Sequence, residues 1–319
     1  MQQQTYPASR KNSALRVSLF FITMANYTNR PLNFSQQVSS LKANGLTIND
    51  EGKALHLLQN ISYFRLKSYL IPLMSDKVNH VFKDGTTFEN AYELYKFDSQ
   101  LRKLIATELE KIEVSIRTQL AYILADDIDI YWFADSANFQ NPIRYTNTLN
   151  GLKAELDRSD DDQILQFKAT YSDPFPPAWM TMEITSFGTL SMLYKLLRPG
   201  LSKRKIANFY GVSDSVFESW LHSIVYVRNI CAHHSRLWNR TLRIMPLFPR
   251  RTTHPFIANS VANNRLYYVL CIIQYLLRIV NPNTSFSLRV KNLLADYPQV
   301  DTTAMGFPTN WQNDNFWLL

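Results

Sequence analysis

Residues 88–124 read FENAYELYKFDSQLRKLIATELEKIEVSIRTQLAYIL, the longest stretch of the chain with an unbroken helical pattern. Leu94, Phe97, Leu101, Leu104, Ile105, Leu109, Ile112, Ile116 and Leu120 recur at three- and four-residue spacing, so one stripe of a long helix is set to be buried. Glycine is scarce, eight in 319 residues, and other long segments free of Gly and Pro repeat the spacing. The expected fold class is all-α, with at most a short hairpin.

Working outward toward the N-terminus, the turn signal Lys83-Asp84-Gly85-Thr86 permits that hairpin. Before it, Ile61 to Leu73 is aromatic and basic together and is interrupted at Pro72. Phe34 to Asn44 and Asp50 to Gln59 read as short helices, the second with N-cap side chains in Thr47-Ile48-Asn49-Asp50. Arg10, Lys11 and Arg16 precede the apolar run Val17 to Ala25, which has a faint signal-peptide look but no clear small-x-small cleavage site. Residues 1–23 are expected to be a tail, or translation to start at Met24.

Toward the C-terminus, Asp126-Asp127-Ile128-Asp129 and Ser159-Asp160-Asp161-Asp162 read as solvated loops or helix starts rather than Mg²⁺ sites. With Asp173-Pro174-Phe175-Pro176-Pro177 they make 126–177 the expected loop-rich insertion or domain edge, between an N-terminal helical part (24–125) and a C-terminal part (178–319). All three are expected to form one integrated domain, 24–319. Further helices are expected over Trp179 to Leu197, Val212 to Leu237, Asn263 to Val280 and Ser285 to Ala295, ahead of an aromatic tail. The apolar run Tyr268 to Val280 is 13 residues with Gln274 and Arg278 inside it. A bilayer needs about 20, so the run reads as a core helix and no membrane association is expected.

An apolar fraction of 46%, with 13% aromatic residues, supports a large core and sets disorder aside. Two cysteines, Cys231 and Cys271, make neither a disulfide framework nor a zinc site. A reducing cytoplasm fits, and no cofactor or metal is expected.

The net charge of +8 is concentrated: between Ser219 and Ala295 there are ten Arg or Lys and no Asp or Glu. Inside that stretch runs Arg228-Asn229-Ile230-Cys231-Ala232-His233-His234-Ser235-Arg236-Leu237-Trp238-Asn239-Arg240. Cations mixed with imidazoles suit a phosphodiester that is held and cut. In metal-free RNA cleavage a 2′-hydroxyl attacks the adjacent phosphorus, a base removes its proton, an acid protonates the leaving 5′-oxygen, and a cation stabilises the equatorial oxygens. Imidazole, with an ordinary pKa of about 6.5, suits the proton transfers. Guanidinium, a permanently charged planar fork, suits the phosphate. His233 is the candidate acid/base, Arg228 the phosphorane stabiliser and Asn229 the orienting group.

Residues five apart on a regular helix differ by about 140° in direction, so one Arg228/His233 pair makes an awkward site. Asn229 and His233, four apart, share a face. A two-fold homodimer would gather two histidines and two arginines around one phosphate. His234, Arg236, Asn239, Arg240, Arg243, Arg250 and Arg251 extend the candidate RNA-binding surface, with Trp238 as a stacking face. The plainer alternative is a helix on which Arg228 snorkels to water and His233 is a core residue. Glu113 and Arg117 read as a helical ion pair or as groups lining the site from a facing helix. Glu183 reads as an orienting group for a motif histidine or as a packing partner for an arginine. Tyr63, Arg65, Tyr95 and Arg102 alternate ring and cation as single-stranded RNA would require, although aromatic residues at helical spacing more often belong to the core.

These residues carry a resemblance. With Ile61-Ser62-Tyr63-Phe64-Arg65-Leu66, Tyr69-Leu70, Phe88, Leu94-Tyr95-Lys96-Phe97-Asp98, Leu101-Arg102, Ile112-Glu113, Arg117, Pro177-Ala178-Trp179, Glu183, Gly306-Phe307-Pro308 and Trp311, the chain resembles the bacterial Abi-like abortive-infection proteins, the AbiD/AbiF group of the HEPN superfamily, from about Tyr27 to Trp317. The resemblance implies a HEPN-like helical bundle in the C-terminal part and an N-terminal helical extension. It also implies phage defence by growth arrest, a dimeric toxin-like RNase using Arg228 and His233, and association with a small noncoding RNA. The runner-up reading is an RNA-binding module that holds RNA without cutting it. A third is a protein-interaction effector acting through its aromatic surface.

Overall fold

The structure, a computed structural model, describes residues 30–257 and 261–318; the expectations for residues 1–23 and the start at Met24 lie outside them. Asn33 and Gln36 exchange side-chain and backbone hydrogen bonds in a capping box that opens α1 (Phe34–Ala43). Asp50 caps α2 (Glu51–Ile61), and Ser62 joins it to α3 (Tyr63–Leu70). A two-stranded antiparallel hairpin follows, β1 (Met74–Asp76) and β2 (Val81–Phe82), pairing Met74 with Phe82. Its turn lies upstream of the expected one, where the Asp76 carboxylate accepts from the Val78 and Asn79 N–H groups.

Thr87 and Asn90 form a second capping box and start α4 (Phe88–Asp127), a single helix of 40 residues, about 60 Å at 1.5 Å per residue. The expected stripe is buried except for Leu104, which is only partly covered, and it also carries two buried acids, Asp98 and Glu108. Glu108 pairs with Lys111 and with Arg289.

The segment 126–177 is not loop-rich. It holds α5 (Pro142–Arg158) and α6 (Asp162–Thr170), and its Trp132, Phe133, Leu152 and Leu156 join the same core as α4. Asp161 marks a helix start, one of the two readings given to the acidic stretches: its carboxylate accepts from the Gln163 and Ile164 N–H groups at the start of α6. The helix expected from Trp179 to Leu197 is two, α7 (Ala178–Ile184) and α8 (Phe187–Leu196), because Ser186 caps a new start and its N–H donates to Glu155. Next come α9 (Leu201–Phe209), α10 (Asp214–Ala232), α11 (Leu266–Val280), α12 (Phe286–Asp296) and α13 (Asn315–Leu318). The described chain is all-α apart from the hairpin.

α4 is the axle. It packs against α3, α7, α8, α9, α10, α11 and α12. α11 is buried on nearly every face from Leu266 to Leu277, as expected for the apolar run, and no described helix is long and apolar enough to cross a membrane.

Leu109 is fully buried midway along α4. Leu109→Ala is expected to lower unfolding free energy by about 2–5 kcal/mol, read in urea as a lower midpoint at unchanged slope. A loss under about 1 kcal/mol would contradict the axle role of α4.

Candidate functional site

Ser213 caps α10 at its start, and the helix ends inside the motif rather than continuing to Leu237 as expected. The Ser235 N–H donates to the Ile230 carbonyl and the His234 N–H to the Cys231 carbonyl, each at 3.0 Å. This pair of bonds is a Schellman closure, with His233 at the C-cap and His234 at φ 53, where glycine is usual. Asn229, His233 and His234 are exposed as a result, and the Arg228 side chain is 38% exposed. The core-histidine alternative therefore fails for His233.

Asp98 of α4 fixes the chain beyond that turn. It is fully buried and accepts from the Tyr69 hydroxyl (2.6 Å), the Arg102 guanidinium, the Leu237 N–H (3.1 Å) and the Trp238 N–H (2.6 Å). Burial pushes its carboxyl above the ordinary range, while Arg102 and the three other donors pull the opposite way.

Two expectations are corrected here. Arg102 is 5% exposed with its guanidinium committed to Asp98, so it borders the first cleft without a free charge to offer RNA, and Trp238 is 4% exposed with its indole N–H aimed at the Asp301 carbonyl, so it offers no stacking face. Tyr95 packs edge-on against Tyr69, and Tyr63 is half-buried. Arg65 is exposed and donates to the His234 carbonyl, which ties α3 to the end of α10.

The turn separates two clefts. The first, about 580 Å³, lies along α4 and is lined by Lys103, Ala106, Glu110, Glu113, Arg117 and Arg228 among others. Glu113 stands between two arginines, 3.1 Å from Arg117 and 3.7 Å from Arg228. Arg117 also donates to the Thr185 carbonyl and lies 4.0 Å from Glu183. Glu113 and Arg117 are thus both an ion pair and part of the cleft wall, and Glu183 partners an arginine. Cys231 borders this cleft, but burial pushes its thiol up to about 12, so it is no thiolate near neutral pH.

The second cleft, about 590 Å³, lies between α3 and the segment after α10 and holds Arg65, His233, His234, Arg236, Arg240 and Arg243. His234 borders both clefts. Within one chain Arg228 therefore opens on one side of the turn and His233 on the other. Asn239 is half-buried at φ 50 between these arginines. Arg250 and Arg251 are exposed but line a hollow with Ser213, Ser215 and Val216, at the other end of α10. Nineteen residues of helix, about 28 Å, lie between, so the expected Arg236 to Arg251 surface is two surfaces.

Asp98 is the positioning residue that sequence reasoning passed over. Its signal was available: an acid interrupting an apolar stripe, four residues before an arginine on the same face.

A family model described as Abi-like protein matches residues 56–239, from within α2 to just past the motif, and so includes Asp98, Arg228 and His233 but stops before Arg240. No curated protein and no solved structure gives a significant match.

Asp98→Ala would leave the Arg102 charge buried and two N–H groups without an acceptor. The expected loss is about 3–5 kcal/mol, with faster amide exchange at Leu237 and Trp238. Unchanged exchange there would show that the turn is held by something else.

Proposed function

The chain belongs to the Abi-like protein family, and from that premise we propose that it is a HEPN-type endoribonuclease acting in phage defence by abortive infection. Arg228, Asn229 and His233 are the catalytic group, and RNA is the substrate. The observation that carries this reading is the end of α10: the helix closes within the motif, which leaves two imidazoles and an amide exposed beside a guanidinium already held by a carboxylate.

Because Arg228 and His233 open on opposite sides of the turn, the working unit is a homodimer in which a second copy completes each site. The second cleft stays open to substrate. One His233 takes the proton of the 2′-hydroxyl as its oxygen bonds to phosphorus; the same residue of the second copy gives a proton to the 5′-oxygen as the P–O5′ bond breaks. Arg228 stabilises the charge on the equatorial oxygens, and the products are a 2′,3′-cyclic phosphate and a 5′-hydroxyl. No step calls for a metal ion.

The same separation of Arg228 from His233 favours the second reading, a module that binds RNA, including a small noncoding RNA, without scission. Incubation of the purified protein with total RNA in EDTA decides between them. Scission with cyclic phosphate ends supports the nuclease, and tight salt-sensitive binding alone supports the module. For the nuclease, His233→Ala is expected to slow cleavage about 10²–10⁴-fold and Arg228→Ala about 10²–10³-fold. Either variant cutting at the unmodified rate while folded refutes the assignment.

A further inference from the structure

Phe64, the second residue of α3, is 85% exposed, although Leu66, Tyr69 and Leu70 of the same helix are buried. It sits just after Ser62, whose backbone takes φ 71 and ψ 145 at the joint with α2 and whose hydroxyl accepts from the Arg65 N–H. Arg65 in turn donates to the His234 carbonyl, so the ring keeps a fixed place relative to the motif turn. Phe64 rims the second cleft. No carboxylate lines that cleft, and among the described residues Arg65, Arg236, Arg240 and Arg243 form no ion pair with one.

We propose that Phe64 is a nucleobase platform and that the second cleft holds the phosphates of unpaired nucleotides next to the scissile linkage, so that the protein selects single-stranded over duplex RNA. The proposal rests on the RNA-handling reading of the motif. An unpaired strand offers phosphates and open base faces along one backbone; guanidiniums without a carboxylate ion pair suit the first and an exposed ring the second. In a duplex the base faces are already stacked, so the ring has nothing to meet. An acidic peptide would use the charge and leave the ring idle. A second copy of this chain, itself at +8, would bring like charge if it filled this basic cleft instead of meeting it at the motif turn.

Fluorescence anisotropy with a labelled 2′-O-methyl oligouridylate, which lacks the attacking hydroxyl, tests the platform in the full chain, alone and annealed to its complement. Phe64→Ala is expected to weaken single-strand binding by about 5- to 150-fold, the value of one stacked base, and to leave duplex binding unchanged. Phe64→Trp is expected to restore it. Because the ring is exposed, neither substitution threatens folding. Equal weakening of both probes, no weakening of either, or a changed oligomeric state of Phe64→Ala by light scattering overturns the proposal. A parallel cleavage assay on unmodified RNA separates the two ideas. Scission together with Phe64-independent binding removes the platform and leaves the nuclease; Phe64-dependent binding without scission does the reverse.

Discussion

Taking a carboxylate out of water costs several kcal/mol, and Asp98 offsets this by gathering donors from three separate parts of the chain. Tyr69 comes from α3, Arg102 from the next turn of α4, and the Leu237 and Trp238 N–H groups from the segment after α10. Because α4 is continuous and packed on most sides, this carboxylate gives a fixed origin from which both walls of the second cleft are measured. α3 cannot shift, and the motif turn cannot slide along α10, without leaving a buried charge or two buried N–H groups unmatched.

What that arrangement presents to solvent follows from where α10 stops. A helix continuing to Leu237 would have carried His233 and His234 on its flank. The closure at Ile230 and Cys231 instead sets them on a ridge with basic ground on one side and the Glu113 and Arg117 wall on the other. The wall is not electrostatically neutral toward the motif, since Glu113 shares its charge between Arg117 and Arg228. A guanidinium held this loosely keeps its orientation and retains donors for a phosphate.

Periodicity located α4 and α10, because burial of one stripe leaves a mark at three- and four-residue spacing, and α11 was legible as a continuous apolar run. Breaks were harder to see. The split at Ser186 depends on Glu155, 31 residues earlier, and the closure of α10 places histidine where glycine would have been the signal. Composition misled over 126–177, where α5 and α6 carry side chains into the core; of the two readings given to its acids, Asp161 fits the helix start. At the site, residue types were readable and directions were not. Arg102 and Trp238 look like ligand-binding groups in sequence and turn inward: Asp98 holds the Arg102 guanidinium and the Trp238 backbone N–H, and the Trp238 indole goes to the distant Asp301 carbonyl.

His234 occupies a left-handed backbone position that disfavours any residue with a Cβ by about 1–2 kcal/mol. Glycine would relax it, so laboratory evolution for heat resistance has an easy route to a sturdier protein at this codon. The same step would delete the imidazole on the ridge. A relaxed backbone and an imidazole bordering both clefts are thus alternatives at one residue.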